Sequence, residues 1–241
     1  MPEAAVKTIP RRGRLWIIAV FAIALFGLGY LVVEIATQEP GAEEVEISGI
    51  NDAQRLFGGV PQEGDRLGSS NAPVTIQVFN DLQCADCRED FLGTIPTLTE
   101  DYARPGEVQL LYRHYSNSEK VQQLGFFGAE AAADQNYGWN YIYLFFRNQD
   151  EAERFGVDQD FLDEVAAGIE KLDKPEWEAT LEEKGGADGE ISQRLEGYEE
   201  LGQGLGIRIR QAAIVTGPNG TVTLQDGAGI GAIEDAIAEV E

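Results

Sequence analysis

The chain has 241 residues and a formal net charge of −24, from 18 basic and 42 acidic side chains. Its two cysteines and one histidine are too few for an intrachain zinc site, which needs four ligands. Nucleic acid and anionic lipid headgroups are excluded as preferred partners, because both would be repelled by so acidic a surface. The acidity is equally consistent with general surface solubility or with adaptation to high ionic strength.

The N-terminus predicts a membrane anchor. Four basic residues precede Leu15–Val33, a stretch without any charge. Nineteen helical residues at about 1.5 Å each just span a bilayer core of about 30 Å. The basic flank stays in the cytoplasm, which sends the rest of the chain outside. A cleaved signal peptide is the alternative, but its apolar core is usually shorter, and no small-x-small cleavage site follows Val33.

The composition after this stretch predicts a linker and then a folded domain. Residues 34–68 are acidic and glycine-rich, with Pro40 and Pro61 and little periodicity, although Asp52–Phe57 could form one or two helical turns. We therefore predict a cytoplasmic basic tail at 1–14, a transmembrane signal anchor at 15–33, an acidic flexible linker at 34–68 and a domain at 69–241.

The only two cysteines form the motif Cys84-Ala85-Asp86-Cys87, between the apolar run Val74–Phe79 and a helix-like stretch. In a first helical turn, residues i and i+3 lie on one face, close enough for a disulfide. The unpaired N–H groups and the positive dipole end there favour a thiolate. We expect Cys84 to be the attacking outer sulfur and Cys87 the inner one that resolves a mixed disulfide. An inert local disulfide is the alternative, although so short a loop stabilises little.

The order of elements predicts the fold. A strand at 74–80, the cysteine-bearing helix at 84–102 and a strand at 107–112 form a β-α-β unit, whose strands should be parallel. Residues 118–205 have helical patterns, and the aromatic-rich stretch 137–146 indicates core packing rather than a ligand cage. A hairpin at 212–225 and a helix at 230–240 follow. We predict an α/β, thioredoxin-like fold with a helical insertion at about 118–205, preceded by one transmembrane helix.

Two runs, Leu67–Ile76 and Phe79–Arg88, resemble the DsbA-like thiol-disulfide oxidoreductases, in particular their membrane-anchored members. Leu110–Tyr115 and Leu144–Gln149 are similar to the second strand and the insertion of that family. The resemblance implies an exported enzyme that forms, reduces or isomerises disulfides in other proteins and has no bound cofactor.

The same resemblance implies roles for four residues. Cys84 would be the nucleophile and Cys87 the resolving thiol, while Ala85 and Asp86 would tune the reduction potential. A carboxylate at Asp86 disfavours the Cys84 thiolate and so predicts a weaker oxidant. Asp86 also complements the positive end of the helix, and both effects can act together.

The chain departs from the family at the loop before its third strand. Family members have a cis-proline there and bind substrate backbone with that loop, but Gln211 stands at this position. A cis bond before a non-proline residue costs about 2.5–4 kcal/mol, so we expect a trans bond. Arg210 and Gln211 therefore mark the predicted substrate-docking loop, with Arg210 as a candidate positive charge near the thiolate.

The favoured function is a single-pass cell-membrane thiol-disulfide oxidoreductase with its C-terminal domain outside the cytoplasm. Its expected partners are exported client proteins with cysteines and a membrane or extracytoplasmic redox partner that recycles it. The alternative is a degenerate thioredoxin-fold module that binds proteins with little catalytic activity, because Gln211 replaces the proline. Metal delivery through the two thiolates is disfavoured by the single methionine and single histidine.

Overall fold

The structure, a computed structural model, describes residues 45–116, 124–225, 227 and 229–241. The predicted basic tail at 1–14 and the predicted anchor at 15–33 lie outside these residues. Among the helices that the structure does describe, none is both long enough and apolar enough to cross a bilayer.

A mixed β-sheet forms the centre of the domain. Its strands are β1 (Gln62–Glu63), β2 (Arg66–Leu67), β3 (Val74–Asn80), β4 (Val108–His114), β5 (Ala212–Gly217) and β6 (Gly220–Leu224). They lie in the order β1-β2-β4-β3-β5-β6. β3 and β4 are parallel along their whole length, as the β-α-β pattern predicts, and the other pairs are antiparallel. The carboxyl ends of β3 and β4 therefore meet at one edge of the sheet.

Helices cover the sheet and form the insertion. They are α1 (Ile50–Phe57), α2 (Ala85–Thr97), α3 (Leu124–Ala133), α4 (Gly138–Arg147), α5 (Gln149–Phe155), α6 (Gln159–Ala167), α7 (Lys174–Lys184), α8 (Glu190–Gly204) and α9 (Ile230–Val240). A π-helical turn, Leu98–Ala103, continues α2. Helices α3 to α8 follow β4 and precede β5 along the chain, which confirms the thioredoxin-like fold with a helical insertion. Residues 117–123, at the start of the predicted insertion, lie outside the described residues.

The aromatic-rich stretch is core, as predicted, and it joins α2 to the insertion. Trp139, Tyr141 and Phe145 of α4 are fully buried. Phe91 of α2 packs on Phe146 of α4 with ring centroids 4.6 Å apart. Aromatic pairs of this kind contribute about 0.5–1.5 kcal/mol beyond the area they bury. The cysteine-bearing helix is therefore held against the insertion by ring contacts.

The folded domain begins earlier than residue 69, which corrects the predicted extent of the flexible linker. Helix α1 buries Ala53, Leu56 and Phe57, and the ring of Phe57 meets Tyr143 edge-on at 5.8 Å. Strand β2 pairs with β4 at the sheet. Residues 45–68 thus belong to the domain. The i, i+3, i+4 spacing of the three buried side chains is helical, in agreement with the one or two turns that the sequence allows at Asp52–Phe57.

Candidate active site

The two cysteines lie where β3 gives way to α2, at the edge where β3 and β4 end. Cys84 is the N-cap residue of α2 and Cys87 lies in its first turn, and the two form a disulfide with Cα atoms 5.1 Å apart. The Cys84 sulfur accepts a hydrogen bond from the Cys87 backbone N–H at 3.1 Å. Cys84 is partly exposed, whereas Cys87 is fully buried. A second protein can therefore reach the Cys84 sulfur but not the Cys87 sulfur.

Ala85 and Asp86 form the exposed surface between the cysteines. Asp86 is an acidic residue in the first turn of α2, where it meets the positive end of the helix dipole. That the same carboxylate also opposes a negative charge on Cys84 stays a prediction.

The loop before β5 covers Cys87 with backbone. The carbonyl oxygen of Arg210 lies 3.6 Å from the Cys87 sulfur. The peptide bond that precedes Gln211 is trans, like every peptide bond of the described residues. The Gln211 carbonyl accepts a hydrogen bond from the Gly227 N–H at 3.0 Å. The loop thus reaches the cysteines without the cis bond of the family pattern.

The side chain of Arg210 is directed to a carboxylate. Its guanidinium lies 3.3 Å from Asp81, which is only 2% exposed. Asp81 also accepts hydrogen bonds from the Gln83 N–H at 2.9 Å and the Ser116 hydroxyl at 2.7 Å. The positive charge that we considered for the thiolate is therefore paired with Asp81.

The helical insertion reaches the cysteine loop through the start of α5. The buried side-chain amide of Gln149 donates to the carbonyl of Leu82 at 2.5 Å and to that of Cys84 at 3.3 Å. Beside it, Asp150 forms an ion pair with Arg88, the residue after Cys87. The insertion therefore fixes both the loop before Cys84 and the first turn of α2.

Burial shifts the pKa values of two titratable groups near this end of the sheet towards their uncharged forms. Burial raises the pKa of Asp90, one turn after Cys87, to about 6. Burial lowers the pKa of His114 to about 4, against an opposing effect of Asp81, and the ring packs on Phe126 at 4.6 Å. Both shifts favour the neutral side chain. The one backbone donor to the Cys84 sulfur among the described contacts is the Cys87 N–H, at the N-terminus of α2.

The sequence interpretation named the cysteine motif and the loop at 210–211, and the structure brings these together. It did not name Asn80, Asp81 or Gln149 as functional residues. A signal was present for each of them, because all three lie in the runs that resemble the DsbA-like family. Their contacts join segments up to 130 residues apart, since Asn80 and Asp81 both reach Arg210, so their roles depend on the tertiary fold.

The site geometry, a thioredoxin-like sheet with a disulfide at the start of its first crossover helix, defines a class of redox protein. The sequence profile described as thioredoxin matches residues 62–196, more than half of the chain. The probable disulfide bond formation protein D of Bacillus anthracis is 26% identical over 154 residues, covering 63% of this chain and 69% of the relative.

Solved structures share the fold. The crystal structure of oxidised BdbD from Bacillus subtilis superposes with a TM-score of 0.60 at 19% identity, covering 75% of this chain and 96% of that one. Chlamydia trachomatis DsbA gives a TM-score of 0.57 at 15% identity, covering 73% and 90% of the two chains. The chain therefore belongs to the thioredoxin family and is a DsbA-like thiol-disulfide oxidoreductase.

Proposed function

We propose that this protein is anchored in the cell membrane and exchanges disulfides with exported proteins outside the cytoplasm. The observation that carries the proposal is the Cys84–Cys87 disulfide, with one sulfur partly exposed and the other buried beneath the Arg210 carbonyl. Such a pair can form a mixed disulfide with a client at one sulfur only. The relatives named for disulfide bond formation support a role in which the clients are oxidised.

The oxidising reaction begins with attack by a client thiolate on the Cys84 sulfur. The Cys84–Cys87 bond breaks, and Cys87 leaves as a thiolate that takes a proton from solvent. A second client thiolate then attacks the client sulfur of the mixed disulfide and releases Cys84. The client gains a disulfide, and the protein holds two thiols until a redox partner removes their two electrons. The reverse sequence reduces or rearranges client disulfides.

The first turn of α2 sets how readily Cys84 departs. The helix N-terminus and the Cys87 N–H favour its thiolate, while the carboxylate of Asp86 opposes it. Ala85 offers no group that would offset Asp86. We infer that Ala85 and Asp86 make this protein a weaker oxidant than one with a cation between its cysteines.

The location outside the cytoplasm rests on the uncharged stretch 15–33 and its basic flank. Disulfides persist outside the cytoplasm, where a protein with one cysteine pair cannot misbridge itself. If the anchor is retained, alkaline carbonate washing leaves the protein in the membrane pellet, and external protease digests the domain on intact cells. A shortened, soluble product would instead support signal cleavage.

The exchange reaction is tested on the purified full chain in glutathione buffers of graded redox poise. Thiol alkylation followed by mass measurement should show one two-electron transition between the disulfide and the dithiol. A pair that stays reduced under mild oxidant, or that resists dithiothreitol, would contradict the proposal. A pair that cycles but supports no client turnover would favour the alternative, a protein-binding module with little activity.

A further inference from the structure

Two adjacent side chains at the end of β3 hold residue 210. The carboxylate of Asp81 lies 3.3 Å from the Arg210 guanidinium. In the amide orientation that satisfies its contacts, Asn80 donates to the Arg210 carbonyl at 2.9 Å. That same carbonyl lies 3.6 Å from the Cys87 sulfur. Residue 210 is therefore held by both its side chain and its backbone, from the strand that leads to the cysteines.

Asp81 is itself fixed in position. It is 2% exposed, and the Gln83 N–H and the Ser116 hydroxyl both donate to it. A buried carboxylate is costly unless it is hydrogen-bonded and paired, so Asp81 has little freedom to turn away from Arg210. An ion pair between two solvated side chains contributes little to structure, but here one partner is rigid and buried.

We propose that Asp81 is a positioning residue for disulfide exchange, which holds Arg210 so that the Arg210 carbonyl stays on Cys87. This inference rests on the proposed function. Gln211 has no ring to fix the backbone of the loop, as a proline would, so side-chain contacts help to hold the loop together with the Gly227 N–H that donates to the Gln211 carbonyl. In the dithiol form, the Cys87 thiol is placed to donate to the Arg210 carbonyl, and this contact keeps the Cys87 side chain oriented as it is in the disulfide.

The step that depends on this arrangement is the resolution of a mixed disulfide on Cys84. The Cys87 thiol loses its proton to solvent and its sulfur bonds to the Cys84 sulfur. The bond from Cys84 to the other sulfur breaks, and that sulfur leaves as a thiolate. Displacement of the loop would misplace Cys87 and slow this step, whereas the earlier attack by Cys84 needs no contact with Arg210.

A different role for Asp81 would be a direct effect of its charge on the Cys84 thiolate. The two roles predict different relations between the effects of Asp81→Asn and Arg210→Gln. If charge alone acts, Asp81→Asn should favour the thiolate and Arg210→Gln should disfavour it. If Asp81 acts by positioning, both substitutions release the loop and should impair the same step in the same direction.

The test uses the full chain, reduced and mixed with dithiobis(nitrobenzoate) in a stopped-flow instrument. The first equivalent of nitrothiobenzoate reports attack by Cys84, and the second reports resolution by Cys87. The variants are Asp81→Asn, Arg210→Gln and the double variant. Asp134→Asn, which removes an acidic partner of Lys184 on the surface, is the control for loss of one negative charge.

If Asp81 acts by positioning, release of the second equivalent of nitrothiobenzoate should be slowed roughly tenfold in both single variants, as expected for loss of a charged hydrogen-bonded contact. The double variant should be no slower than either single one, because all three break the same contact. Opposite shifts of the first release in the two single variants, or an unchanged second release, would overturn the inference. The side chain of Arg210 is 39% exposed, so Arg210→Gln decides the question if Asp81→Asn does not fold. If the wild-type chain gives no second release at all, the proposed function fails instead.

Discussion

Gln149 offers the sharpest test of whether the helical insertion holds the cysteine loop. The residue is 4% exposed, and its side-chain amide donates to the carbonyls of Leu82 and Cys84. The Cys84 carbonyl keeps a second donor, the Arg88 N–H at 3.1 Å. Loss of the Gln149 amide therefore removes a donor mainly from the Leu82 carbonyl.

Gln149→Leu keeps the approximate volume and removes the donor. A buried carbonyl that loses its partner costs about 1–3 kcal/mol. The change also removes the Gln149 side-chain oxygen, which is buried without a hydrogen-bond partner among the described residues, and this offsets part of the loss. We therefore expect the free energy of unfolding to fall by about 1–2 kcal/mol.

Gln149→Glu preserves the shape but places a carboxylate against the two carbonyl oxygens. It should destabilise more than Gln149→Leu, because a buried charge then faces acceptors only. Gln159→Leu is the matched control, since Gln159 is exposed and its change should stay within about 0.5 kcal/mol.

Urea unfolding of the oxidised full chain at one pH measures all three variants against wild type. The expected order of stability is wild type and Gln159→Leu together, then Gln149→Leu, then Gln149→Glu. If Gln149→Glu is as stable as wild type, the amide does not hold the cysteine loop and the reasoning fails.

Three further predictions concern the sulfurs, a buried acid and the docking loop. Cys87→Ala should trap client adducts on non-reducing gels and Cys84→Ala should not, because only the outer sulfur is accessible; equal trapping would reverse or erase these roles. Burial raises the pKa of Glu130 to about 7 despite Arg194, so the folded state holds its proton more tightly than the unfolded state does. The stabilisation that Glu130 contributes is then fully present below about pH 4.5 and is lost as the pH rises through 7, by at most on the order of 3 kcal/mol. Glu130→Gln should reduce the dependence of the free energy of unfolding on pH over this range, and an unchanged dependence in unfolding measurements at several pH values would contradict the prediction. Gln211→Pro, if circular dichroism shows it folded, should raise turnover in an insulin-reduction assay, and a folded but slower variant would show that the native loop already works.

The parts of the fold with local signals could be predicted from the sequence. The apolar run Val74–Phe79 and the cysteine spacing place β3 and the start of α2, because strand periodicity and an N-terminal turn depend on neighbouring residues. The hairpin of β5 and β6 follows from its turn residues, Gly217-Pro218-Asn219-Gly220. These elements are sufficient to recognise the β-α-β framework and the position of the disulfide within it.

The N-terminal boundary could not be predicted in the same way. Helix α1 has only eight residues, too few to be stable in isolation, so its helical state depends on packing. The packing partner, Tyr143, is 86 residues beyond Phe57 and belongs to the insertion. Composition alone therefore assigns residues 45–68 to a linker, while tertiary contacts make them part of the domain.

The loop at Arg210 shows why residue identity alone was insufficient at the site. An arginine next to a cysteine pair suggests a cation that stabilises a thiolate, but Asp81 already neutralises it. What remains near the buried sulfur is the carbonyl of residue 210, an acceptor that favours a thiol. Cys84 and Cys87 therefore differ in environment, because the first sulfur accepts from the Cys87 N–H and the second faces a carbonyl. That asymmetry favours a thiolate on the exposed sulfur, which the first attack requires, and a thiol on the buried one, which loses its proton when it later resolves the mixed disulfide.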